Sequence, residues 1–329
     1  MRKEVFEEIF SHIKGKVYTP STRVFFAVKN KKGGELKSSC FQPLQERDFK
    51  KLNIAFVDAG NAELLGAPSF SLQIIRVAAC SYEDLKVVKQ ELKEFYVLIH
   101  LVEKEKNLVY HVQTFGTEWQ FPEIDSFDSS LTKGEHRVIP AAVADRVRTL
   151  SELYLMQSLK DADIILRDGD LELQSEDEKN MLKKLLERQI LIGGLSKTNT
   201  LVTNTGDSAI AALQRIAPYP TWYYPLSMDE ISTYFVKLHA KSEYVFRCDV
   251  NTNTEKANDL FCQLSKHARD PVFLGYPYGF IAVDRIARVS NQEKEMLTLT
   301  FFTLAEKEAE LLRPYLKSQD AHRVLDTIG

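Results

Sequence analysis

The chain has 329 residues, of which 44% are apolar and 27% charged. That length allows about two domains or one large α/β domain with insertions, and the composition excludes a wholly disordered chain. The formal net charge of −3 excludes a globally basic nucleic-acid binder and leaves room for a local basic patch.

No run approaches the roughly 20 apolar residues of a membrane span, and the first residues alternate charge with apolar groups rather than forming a signal-peptide core. Cys40, Cys80, Cys248 and Cys262 form no CxxC pair. They read as reduced thiols of a cytoplasmic protein. The seven histidines are scattered without an HExxH motif. His100 and His111 fall in strand-like segments and read as structural. The metal chemistry left by this inventory is that of a hard ion held by carboxylates. Charge is uneven along the chain: residues 1–51 carry 12 Lys/Arg against 6 Asp/Glu, and residues 161–178 carry 8 acids against the single Arg167.

Taken in chain order, residues 3–14 predict an amphipathic helix, and Lys31 to Gly34 a turn. Residues 54–58 predict a buried strand ending at Asp58, before a turn at Gly60. A second strand covers 71–81. Residues 95–102 and 108–115 flank a polar stretch and predict a hairpin. Helical spacing runs from Glu135 to Lys160, with Val143, Val147, Leu150 and Tyr154 as its apolar stripe. Ala162 to Arg167 predicts another buried strand, followed by Asp168-Gly169. A helix over 179–188 and a strand over 190–195 come next. Pro218 to Pro225 predicts an ordered loop, residues 234–239 and 244–250 a late hairpin, and residues 254–269, 280–291 and 304–316 three helices. This order predicts an α/β fold: a ribonuclease-H-like mixed sheet flanked by helices, with additional helical and hairpin elements.

In such a sheet, acids at the ends of neighbouring strands converge at one edge. Asp58 and Asp168 each close an apolar strand, where a carboxylate is costly to desolvate without compensation. Mg²⁺ or Mn²⁺ supplies that compensation, because these ions prefer oxygen ligands. Glu152 on the preceding helix and Asp284 near the start of a late helix complete a set of four. That is enough for two ions about 3.5–4 Å apart, the arrangement used for in-line phosphodiester hydrolysis. Each acid also has a bland reading: turn residues at Asp58 and Asp168, an Arg148–Glu152 surface pair, and a helix N-terminal acid at Asp284. Lys197, in Gly193-Gly-Leu-Ser-Lys-Thr198, follows a core strand and is a candidate to hold a scissile phosphate or to pair with a metal-bound acid, the bland reading being a surface lysine. The segment is not a Walker A loop, since Leu191 and Ser196 stand where glycines are required. An ATPase is therefore disfavoured.

Six segments in this order resemble the NurA nucleases: Phe56-Val-Asp-Ala-Gly-Asn-Ala-Glu63, Arg148 to Glu152, Ile165-Leu-Arg-Asp-Gly-Asp-Leu171, Gly194-Leu-Ser-Lys197, Tyr234 to His239, and Tyr276 to Arg285. Ala59 departs from the family pattern, where a second glycine is common, and so does Asp284, where a histidine is common. The resemblance implies a ribonuclease-H-like homodimer that resects DNA ends with Mn²⁺ or Mg²⁺. Its partner would be a hexameric HerA-type ATPase, and its context double-strand break repair. It implies 5′–3′ exonuclease and single-strand endonuclease activity. It also implies metal-ligand positions at Asp58, Glu152, Asp168 and Asp284, with Lys197 as a basic residue among the catalytic ones. On this basis residues 1–50 form an N-terminal helix and basic segment, and residues 51–329 the nuclease domain. Arg23, Lys29, Lys31 and Lys32 are candidates for a phosphate track. Trp222, Tyr223 and Tyr224 are candidates for stacking on unpaired bases, and more readily for the core or a dimer interface. The competing reading is a non-catalytic nucleic-acid-binding or assembly subunit of a HerA-type complex, for instance in phage defence.

Overall fold

The computed structural model describes residues 2–17, 26–27, 35–44, 52–132, 137–198, 201–252 and 254–305. The elements begin with α1 (Arg2–Val17), β1 (Phe26–Ala27), β2 (Gln42–Pro43), β3 (Asn53–Ala67), β4 (Phe70–Glu83), β5 (Lys86–Lys104), β6 (Asn107–Phe115) and β7 (Ile124–Asp125). They continue with α2 (Pro140–Ser158), β8 (Ile164–Asp168), α3 (Glu176–Leu186), β9 (Leu191–Ser196), β10 (Val202–Thr203) and α4 (Ala209–Ile216). The rest are β11 (Trp222–Ser227), β12 (Ser232–Lys237), β13 (Phe246–Val250), α5 (Thr254–His267) and α6 (Tyr278–Ala287), and a last helix, α7, over 291–305. Among the described residues no helix is long and apolar enough to cross a membrane. None of the four cysteines is in a disulfide.

Two compact units emerge: residues 50–194 with 278–329, here the meander unit, and residues 1–49 with 195–277, the aromatic unit.

In the meander unit the strand order is β9-β8-β3-β4-β5-β6-β7. Strands β3 to β7 form an antiparallel meander, and β8 joins β3 in parallel, with Ile54 beside Ile164 and Val57 beside Arg167. Its tight turns, Asp84-Leu85 and Glu105-Lys106, hold all four residues at positive φ (47°, 68°, 51° and 70°), the geometry of two-residue hairpin loops. Leu85 carries a Cβ in that region and is half exposed. Leu85→Gly, which creates an Asp-Gly turn, is expected to stabilise the chain by about 1 kcal/mol. Urea denaturation reads this as a higher midpoint at unchanged slope, and an unchanged or lower midpoint contradicts it.

Residues Ile54 to Ala59 are buried on both sides of β3 because a helix covers each face, as in parallel sheet regions. On one face Val143, Ala144 and Val147 of α2 pack with Ile75 and Phe95. On the other, Phe280 of α6 meets Phe56 edge-on at 4.9 Å between ring centroids. Ile75 lies across from Asn61, which assigns Val57, Ala59 and Asn61 to the α2 face. Phe56 and Gly60 face α6: a Cβ on Gly60 would meet the Ala287 carbonyl oxygen at 2.4 Å.

From α2, Arg146 donates to Asp128 at 2.6 Å and also to the Ser130 hydroxyl, both ahead of the helix. Burial pushes the Asp128 carboxyl up, but the Arg146 and Ser130 hydrogen bonds outweigh it and bring it down to about 2. A carboxylate with a depressed folded pKa stabilises above its unfolded value near 3.9 and loses that contribution as pH falls through the folded value. Asp128→Asn is therefore expected to cost on the order of 2 kcal/mol at neutral pH, and nothing once pH falls below about 2. Denaturation curves from pH 7 to 2 test this, and a pH-independent difference contradicts it.

In the aromatic unit, β2, β11, β12 and β13 form an antiparallel sheet, and β1 pairs with β10. Trp222, Tyr224 and Phe235 pack with Phe41 and with Ala209 and Leu213 of α4. Tyr223 and Tyr234 pack against Phe261 of α5. The expected loop over 218–225 is thus corrected: from Trp222 onward it is strand β11. Base stacking by Trp222, Tyr223 and Tyr224 is corrected with it. They are 1%, 4% and 3% exposed, since alternate aromatics of one strand fill the layers above and below it. Helix α4 and the β1–β10 pair were not expected from the sequence.

Helix α1 covers the expected helix and exposes Val5, Phe6, Ile9, Phe10 and Ile13. The helix expected over 280–291 ends at Ala287 and resumes as α7 after 288–290. The expected turn at Lys31 to Gly34, the cations Arg23, Lys29, Lys31 and Lys32, and most of the helix expected over 304–316 lie outside the described residues.

Candidate active site

The first carboxylate comes from β3. The strand does not stop at Asp58, as the Asp-Ala-Gly sequence predicted, but continues to Ala67. Gly60 is a site of close helix approach rather than a turn. What ends at Asp58 is the parallel pairing: the last registered pair is Val57 beside Arg167, and the next residues on the two strands are Asp58 and Asp168. Side chains alternate along each strand, so both acids follow Phe56 and Leu166 onto the α6 face. Asp58 is 8% exposed, and its Oδ1 accepts from the Ala59 amide at 2.8 Å.

Asp168 is the last residue of β8. Gly169 leaves the strand at φ 131°, a region that favours glycine. The turn is pressed onto β9, where a Cβ on Gly194 would meet the Gly169 carbonyl oxygen at 2.2 Å. Glycine at both positions lets the chain leave the sheet directly behind the acid.

Asp284 sits on α6, next to the buried stripe Phe280, Val283 and Ala287. Phe280 packs on Phe56 and Ala287 on Gly60. The helix therefore runs along β3, with Asp284 at the level of the Asp58 segment. Its carboxylate pairs with Arg288 at 2.6 Å.

Glu152 has a different setting. It lies on α2, over the opposite face of the sheet, and is completely buried. Arg167 Nη2 lies 2.9 Å from Oε2, and Arg148 Nη1 lies 3.5 Å from Oε1. Neither oxygen receives a well-directed hydrogen bond. Burial pushes this carboxyl up, the two arginines oppose the rise, and the charge of Asp168 adds to it. Arg148 also donates to the Ala59 carbonyl at 3.2 Å, which ties α2 to the strand beside Asp58. The expected Arg148–Glu152 pair is thus present, but with Glu152 buried rather than on the helix surface.

Lys197 belongs to the aromatic unit. It follows β9, and its ammonium lies 5.3 Å from the centre of the Tyr276 ring, within cation–π range. His100 and His111 are cross-strand neighbours on β5 and β6.

Asp58 and Asp168 are therefore neighbours on one sheet face, Asp284 lies on the helix covering that face, and Glu152 is held by arginines on the other. Among the described residues no three His, Cys, Asp or Glu side chains are grouped to hold one metal ion. The donor chemistry of the strand pair fits a hard divalent ion. Arg167 is the residue that sequence spacing missed. A basic residue inside an apolar strand is the signal that was available, since a buried guanidinium requires a buried acid.

A ribonuclease-H-like α/β protein is what this arrangement defines. Neither a family model nor a curated protein matches the sequence. Among solved structures, the chain is similar to the NurA nuclease from Sulfolobus solfataricus, with a TM-score of 0.56 and 11% identity over 93% of this chain and 95% of that one. It is NurA-like in fold across nearly its whole length. The catalytic domain of human Endonuclease V follows, with a TM-score of 0.41 and 14% identity over 78% of this chain and 92% of that one. Argonaute from A. aeolicus follows at 0.33 and 13%, over 74% of this chain and 29% of that one.

Proposed function

We propose that the chain is a metal-dependent deoxyribonuclease. The observation that carries this reading is the placement of Asp58 and Asp168 side by side where parallel β3–β8 pairing ends, in a chain that shares its fold with a NurA nuclease. Asp58 and Asp168 would hold a divalent ion, Mn²⁺ or Mg²⁺, with Glu152 and Asp284 as the further ligands of a two-ion site. When bound, such ions stabilise charge on a phosphodiester in transit and make water a stronger nucleophile.

The chain's own groups do the rest. The α2 and α6 helices fix the strand pair from both faces. Arg148, hydrogen-bonded to the Ala59 carbonyl, holds the backbone beside Asp58. Lys197 keeps the catalytic role that the sequence resemblance implies. The sequence resemblance supports the finer reading: 5′–3′ exonuclease and single-strand endonuclease action at DNA ends, as a homodimer fed by a HerA-type hexameric ATPase, in cytoplasmic break repair.

The test is incubation of purified chain with linear and single-stranded DNA in Mn²⁺, Mg²⁺ or chelator. Hydrolysis in either metal and none in chelator is expected. Intact DNA under every condition, with or without a hexameric translocase, overturns the proposal in favour of a non-catalytic subunit.

A further inference from the structure

Arg167 is the single basic residue between Asp161 and Glu178. It occupies a buried position on β8, one residue before Asp168, and is 7% exposed. Its guanidinium spans two anchors: Nη2 lies 2.9 Å from Glu152 Oε2, and Nη1 donates to the Asp170 carbonyl at 3.0 Å. Its Nε is buried without a hydrogen-bond partner, as are both oxygens of Glu152. A pair this buried and this incompletely hydrogen-bonded contributes little net stability, yet removing either partner strands a charge. Glu152 therefore needs a cation, and the nearest is an arginine carried by the strand that also carries Asp168.

We propose that Arg167 is a resident counter-cation that competes with the divalent ion for Glu152. With no ion bound, Arg167 pairs with the buried carboxyl at 2.9 Å and ties α2 to β8. When an ion binds at Asp58 and Asp168, Glu152 turns from Arg167 toward it, and the guanidinium keeps its hold on the Asp170 carbonyl. Arg167 thus acts as a positioning residue that sets ion affinity through Glu152. The inference rests on the reading of Asp58 and Asp168 as ion-holding residues, and extends it to what governs loading. A trade-off follows, because one grip both stabilises the metal-free chain and weakens metal binding.

The experiment is calorimetric Mn²⁺ titration of the full chain without DNA, paired with thermal denaturation with and without Mn²⁺. Arg167→Met is expected to bind Mn²⁺ at least about tenfold more tightly than wild type. It is also expected to melt lower without metal and to gain more from added Mn²⁺. In a Glu152→Gln background the contest is absent, so adding Arg167→Met is expected to leave Mn²⁺ affinity unchanged. If Arg167→Met does not fold, Arg167→Gln carries the same comparison. Equal or weaker Mn²⁺ binding by the folded variant overturns the proposal. So does an equal gain in the Glu152→Gln background, which marks a general through-space charge effect. If the wild-type chain binds no Mn²⁺, the metal-dependent reading fails first and this inference falls with it.

Discussion

Asp58→Asn lowers metal-dependent DNA hydrolysis by at least about 100-fold and leaves the chain folded. The expectation follows from the adjacency of Asp58 and Asp168 on parallel strands. Charge stabilisation by a bound ion is worth several kcal/mol in the transition state, and each 1.36 kcal/mol is a factor of ten in rate. The amide keeps the shape of the carboxylate but not its charge. The metal-free variant is expected to melt within about 3 °C of wild type. Initial rates on end-labelled linear DNA and a melting curve in chelator measure both arms. A folded variant digesting DNA at the wild-type rate removes Asp58 from the chemistry.

Gly279→Ala is expected to have the largest effect on stability. The added Cβ would lie 2.1 Å from the Phe56 ring. That ring is fully buried, with Tyr82 edge-on at 5.7 Å and Phe280 at 4.9 Å, so it has nowhere to move. Overpacking of this kind costs about 1–3 kcal/mol, and α6 must lift from β3, taking Asp284 with it. Urea denaturation is expected to show the loss. Phe56→Leu in the same chain is expected to restore part of it by opening space for the methyl group. A Gly279→Ala variant as stable as wild type contradicts the helix–strand contact.

Much of this architecture was legible in the sequence, because strand alternation and helix periodicity report burial directly. The strands expected over 108–115 and 162–167 fell near the observed β6 and β8, whereas β5 begins at Lys86, nine residues before the expected 95, and α2 begins at Pro140 rather than Glu135. The failures have specific causes. Asp58-Ala-Gly60 reads as a turn because glycine permits turns and close helix approach alike, and only the tertiary neighbour, Ala287, distinguishes them. Trp222-Tyr223-Tyr224 follows a proline-rich stretch, yet its aromatics fill two packing layers. The split of the four acids between sheet faces was beyond local reading. Asp58 and Asp168 share a parity that requires the β3–β8 register, and Glu152 reaches Arg167 through a helix-to-strand contact. Spacing listed the carboxylates but not which cation each would meet.

The parallel register of β3 with β8 also has a kinetic consequence. Ile54 and Ile164 are partners across more than a hundred residues, and closing a loop of that length is entropically slower than zipping the local hairpins between them. The meander can assemble early from neighbouring strands, but the carboxylate pair comes into existence only when β8 arrives. During refolding, the capacity to take up Mn²⁺ should lag behind the gain of β-structure, so ion uptake would report completion of the fold rather than its onset.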